Sequence, residues 1–174
     1  MRRFLDAIYR VSGGIAAALI LGICLLISAQ ILLNLGARIL GPGWGGTIPS
    51  YADFAGFMLA GASFLALAYT LRMGGHIRVS LLTQKLTGRA ALAAEVLCLL
   101  IALGVTGTAG WFLVSLVQES VHYGDTSSGI VPIPLWIPQT GVAIGMGLLI
   151  LALLDTLVET IRTGGPVLPD SAEE

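Results

Sequence analysis

Four long apolar runs dominate the chain. They lie within Val11 to Ala37, from Phe54 to Leu71 with Tyr51 and Arg72 at its flanks, from about Ala90 to Val117, and from about Trp136 to Val158. A bilayer core about 30 Å thick is crossed by about 20 apolar helical residues. The lipid interior also forces every backbone N–H and C=O to be satisfied within the protein. These runs therefore predict an all-α integral membrane protein of four transmembrane helices, with spans at about 11–36, 52–71, 90–117 and 136–158. Residues 1–174 read as a single membrane domain ending in a tail at 159–174. Composition agrees, because 56% hydrophobic and 11% charged residues exclude an ordinary soluble domain of this size. The opening "MRRFLDAIYR" imitates a secretory signal. The apolar run behind it is far longer than the roughly 7 to 15 residues of a signal core, so a retained signal anchor is expected.

Positive charge sets the expected direction. With both termini cytoplasmic, Arg2, Arg3, Arg10, Arg72, Arg78, Lys85, Arg89 and Arg162 lie inside and only Arg38 lies outside, as the enrichment of cytoplasmic flanks in Lys and Arg requires. Between the second and third spans, "VSLLTQKLTGR" sets Val79, Leu82 and Leu86 on one face and Gln84 and Lys85 on another. That pattern fits a short interfacial helix or a plain cytoplasmic loop. A net charge of −1 leaves no basic excess for nucleic acid. Cys24 and Cys98 have neither C-x-x-C nor metal-ligand spacing and read as small apolar residues.

Several chemistries are excluded by placement. The central halves of the spans carry no ionisable residue; Glu95 is early in the third, while Asp155 and Glu159 sit at the cytoplasmic end of the fourth, where each reaches the headgroup zone. Charges at mid-membrane mark ion and proton paths, so a proton-coupled carrier lacks its carboxylate. His76 and His122 fall at opposite membrane faces, which rules out a bis-histidine haem. No phosphate loop or catalytic constellation is present, so no cofactor, no metal and no enzyme are expected. Gly104, Gly107 and Gly110, and the Gly141-x-x-x-Gly145 pair, read as helix-packing glycines.

"SSGIVPIPLWIPQ" holds three prolines in seven residues. Proline is tolerated only in the first turn of a helix, so an extended segment is expected from about Ile130 to Leu135. The fourth helix then starts near Trp136, with Pro138 in its first turn. An extended apolar backbone has unpaired polar groups that lipid cannot satisfy. Cover by a partner protein, or a wet loop at the interface, would each resolve that.

In this order, "NLGAR" (Asn34, Arg38), "YADF" (Tyr51, Asp53), "RMGGHIRV" (Arg72, Gly74, His76, Val79) and "IPLW" (Pro134, Trp136) resemble the small membrane subunit, or Q component, of tripartite ATP-independent periplasmic (TRAP) transporters. The resemblance implies a non-catalytic permease subunit. It would scaffold a large multi-span membrane subunit during sodium-coupled uptake of an organic anion, a carboxylate, delivered by a periplasmic substrate-binding protein. Sodium ions would bind the partner, and the chain would sit among the lipids of a bacterial inner membrane. Structural or subunit-interface roles fall to Arg38, Asp53, Arg72, Gly74, His76, Arg78, Pro132, Pro134, Trp136 and Pro138. Arg38 and Asp53 flank one external loop and are candidates for an ion pair. Gly74 would let the chain leave span two sharply, with Arg72, His76 and Arg78 facing the anionic leaflet. The competing class is a self-contained oligomeric carrier or channel.

Overall fold

A computed structural model of the chain describes residues 2–74 and 89–164. Within them lie four helices long and apolar enough to cross a membrane: α1 Arg2–Leu40, α2 Tyr51–Arg72, α3 Arg89–Tyr123 and α4 Trp136–Thr163. Each contains the span expected from sequence and runs past at least one of its ends. The extensions at the ends of α3 and α4 are polar, "QESVHY" and "ETIRT". Hydropathy does not count such residues as bilayer sequence, yet an established helix adds them at little cost. The expected interfacial segment, with His76, Arg78 and Lys85, and the tail beyond Gly164 lie outside the described residues.

The helices form a row. α1 packs along α2, α2 along α4, and α4 along α3. The inner pair is the better covered: 33% of the most apolar window of α4 and 22% of that of α2 are buried, against 11% in α1 and in α3. The outer faces of α1 and α3 thus present Leu25, Leu32, Ile101 and Trp111 to the surroundings. Inside the row, Ala68, Leu71, Leu99, Met146, Leu149 and Ala152 form the main apolar cluster, and Ala16, Ala62 and Leu65 form a second.

Gly145 makes the inner contact possible. A Cβ there would stand 2.7 Å from the Leu65 nitrogen and collide with the Phe64 carbonyl group, so the backbones of α4 and α2 touch as small residues allow in lipid. Its expected partner Gly141 faces open space, as do Gly104 and Gly107, whereas Gly110 meets Ile150. Spacing alone does not tell which glycine of a motif meets a neighbour.

α1 and α2 differ in length for a visible reason. At 1.5 Å per residue, α1 is about 58 Å long and α2 about 33 Å. After α1 the chain reverses at Gly41 (φ 95°), makes a 3-10 turn over Pro42–Trp44 and runs back beside the helix it has left. The Ile48 N–H donates to Gln30 Oε1 at 2.8 Å, and Gln30 Nε2 donates to the Gly46 carbonyl at 3.3 Å. α2 therefore starts alongside Gln30, and residues 31–40 stand beyond it.

Candidate functional site

The polar side chains gather at the two ends of the row. At the end where α1 begins and α4 finishes, Arg72 is the last residue of α2 and reaches across to α4. Its Nη1 lies 3.2 Å from Glu159 Oε2 and 3.6 Å from Asp155 Oδ2, and it donates to Thr156 Oγ1 at 3.4 Å. The Thr156 hydroxyl in turn donates to the Ala152 carbonyl at 2.8 Å. Residues 155, 156 and 159 share one face because helical neighbours recur at three and four positions.

α1 adds Tyr9, only 1% exposed and packed into the main cluster, and α3 adds the buried Glu95. Every helix thus places a polar side chain at this end. Removing one partner of such a buried set is strongly unfavourable, because the remaining charge is left uncompensated.

From sequence, Asp155 and Glu159 are carboxylates that each reach the headgroup zone; the structure brings both onto Arg72. A signal was available. Arg72 closes one helix, Asp155 and Glu159 close a parallel one, and equal depth makes an encounter natural.

The opposite end is fastened differently. Residues 124–135 fold as a hairpin in which Thr126 bridges Pro134. The Ser127 N–H donates to the Ile133 carbonyl at 2.9 Å and the Leu135 N–H to the Asp125 carbonyl at 3.0 Å. The Ile133 N–H donates to Ser127 Oγ at 3.0 Å, and the Val131 N–H to Ser50 Oγ at 2.9 Å. Pro132 and Pro134 have no N–H to place. The N–H groups of Val131, Ile133 and Leu135 are thus taken by the chain's own groups. α4 then starts at Trp136, with Pro138 in its first turn.

Asp53 belongs to this end. It lies in the first turn of α2, and a Cβ on Gly129 would collide with its carboxylate and with the Ser50 hydroxyl. Arg38 is exposed in the last turn of α1. Among the described residues the ion pairs fall on Arg72 and not between Arg38 and Asp53. Ser50 holds φ 54° without capping α2, its hydroxyl being taken by the hairpin. Gly74, at φ 73°, donates to the Leu71 carbonyl at 3.2 Å and ends α2. Gln30, unremarked in the sequence, is the residue that holds the first loop.

Among the described residues no three His, Cys, Asp or Glu side chains assemble as a metal site. The fold and its polar ends define a multi-pass helical membrane protein whose polar side chains fasten helices and loops to one another.

A family model, "Tripartite ATP-independent periplasmic transporters, DctQ component", matches residues 44–163, which take in α2, α3, the hairpin and α4. The chain belongs to this family. It is the small permease subunit of a TRAP transporter, a multi-pass protein of the bacterial inner membrane and a component of a transport system whose family is not one of enzymes. Such systems combine this component with a large membrane subunit and a periplasmic binding protein. Comparisons with curated proteins and with solved structures give no match.

Proposed function

We propose that this chain braces the large membrane subunit while that subunit carries sodium ions and an organic anion, a carboxylate received from the periplasmic binding protein, into the cell. Both termini lie in the cytoplasm, as the distribution of Lys and Arg favours. The hairpin end then faces the periplasm. Neither substrate nor sodium binds this chain.

The observation that carries the reading is the middle of the row. Between the two polar ends, α2 and α4 meet at Phe64, Leu65 and Gly145, with backbone against backbone. Ser12, buried nearby, has its hydroxyl bound to the Leu65 carbonyl at 2.5 Å. Ion paths through membranes are lined by polar or ionisable groups, and apolar packing of this kind suits a brace.

The test has two arms. Purification of the tagged chain in mild detergent is expected to bring down one large multi-span protein at fixed stoichiometry. Liposomes holding the chain alone are expected to show no sodium-dependent uptake of a carboxylate, and liposomes holding both proteins to show it when the binding protein is added. Uptake by the chain alone would replace this reading with the self-contained carrier.

A further inference from the structure

We propose that Tyr9 of α1 and Asp155 of α4 hold an internal water molecule between them, and that this water ties the first helix into the Arg72 cluster. Along the row α1 packs on α2, whereas the charged side chains of that cluster belong to α2 and α4. Tyr9 is placed to join them. It packs with Leu71, Ala152 and Leu153, the first adjacent to Arg72 in the chain and the other two within one helical turn of Asp155. The Asp155 carboxylate and the Arg72 guanidinium both act electrostatically on its phenol.

Two oxygens here call for a partner. Tyr9 Oη and Asp155 Oδ2 are both buried, and neither has a hydrogen bond among the described residues. Buried polar groups are nearly always bonded. A phenol donates and a carboxylate accepts, so the two are complementary in chemistry, yet they stand too far apart to bond to each other. Such a gap is the ordinary setting of a bridging water, and a buried water serves about two to four polar groups that have no other partner.

Charge chooses water over an ion. A cation at this point would stand beside the Arg72 guanidinium, whose Nη1 is 3.6 Å from the same Asp155 oxygen, and an anion would face the carboxylate. Water is neutral, accepts from Tyr9 Oη and donates to Asp155 Oδ2, which satisfies both side chains at once. Tyr9 is then a positioning residue that acts on the cluster through the water.

The test joins two measurements on the full-length chain with its co-purified partner in nanodiscs. In X-ray radiolytic footprinting, hydroxyl radicals made from a bound water oxidise the side chain beside it. Tyr9 is 1% exposed and shielded from bulk solvent, so its oxidation reports internal water; Tyr123, 75% exposed, shows that the dose was sufficient. Oxidation of Tyr9 is expected. Thermal unfolding supplies the second readout. Tyr9→Phe keeps the ring, removes the hydroxyl and is expected to lower the midpoint by about 2–4 °C, the scale of one hydrogen bond in a chain of this size. In an Asp155→Ala background the same change is expected to cost nothing further. Tyr9 left unmodified while Tyr123 is oxidised, a midpoint unmoved by Tyr9→Phe, or an equal loss in both backgrounds would each overturn the proposal. Footprinting and the single variant decide it if Asp155→Ala fails to fold. Neither readout involves transport, so a negative result leaves the transporter-subunit reading untouched.

Discussion

The two ends of this protein solve the same problem with different groups. At the end where α1 begins and α4 finishes, the helices are still helices where they must be tied, and their backbone N–H and C=O groups are already bonded within each helix. Only side chains remain free to cross the gap, and Arg72, Asp155, Thr156 and Glu159 do so. At the hairpin end the chain has left its helices, and free backbone groups become the liability. There the fastening is by capture of main-chain N–H groups, from Ser127, Val131, Ile133 and Leu135 in the hairpin and from Ile48 in the first loop. The kind of polar residue used follows the local state of the backbone: charge between helices, amide and hydroxyl beside loops.

Breaking the charged end gives the largest expected effect. Arg72→Ala leaves two carboxylates facing each other in a partly desolvated site. With side-chain exposures of 13% for Arg72 and 15% for Glu159, a loss of about 2–3 kcal/mol is expected after allowance for solvent screening. Thermal unfolding in nanodiscs measures it, and an unchanged midpoint would show that the lock contributes nothing.

Next comes Gly129→Val, which drives a side chain into Asp53 and Ser50. Overpacking of this kind destabilises by about 1–3 kcal/mol. Hydrogen exchange should accelerate in residues 125–135 and not around Arg72.

Ser50→Ala removes the acceptor for the Val131 N–H and is expected to cost about 1 kcal/mol. Ser50→Gly should cost less, since it also relieves the left-handed φ of 54°. Equal losses for the two variants would mean that this backbone geometry carries no strain. The smallest effect is expected at Arg38, exposed beyond the start of α2. Arg38→Ala and Asp53→Asn should show no coupling in a double-mutant cycle read by thermal unfolding.

Helix existence was legible in the sequence, because apolar length is read directly against bilayer thickness. The start of α4 was legible too, since Pro132, Pro134 and Pro138 leave few positions at which a helix can begin. The overruns of α3 and α4 were not, because hydropathy ends where polar residues begin although the backbone pattern does not. The hairpin's tie to the start of α2 was missed for a different reason. Ser50 and Val131 are 81 positions apart, and nothing local in either stretch announces the other. The same holds for Arg72 with Glu159, although common depth offered a clue there. Gln30 had no such clue, being one amide in an apolar run whose partners lie in a loop that had first to fold back.

The Arg72 contact also has a history in biosynthesis. Arg72 precedes Glu159 by 87 positions, and a ribosome adding about 5–20 residues per second separates them by roughly 4 to 17 s. For that interval α2 is made while its counter-charges do not yet exist. A guanidinium cannot wait in hydrocarbon, so the arginine must rest among headgroup phosphates until α4 arrives. The fourth helix then acts as the latch that draws the second one into register, and a chain released before Asp155 would leave α1 and α2 threaded through the bilayer but unlatched.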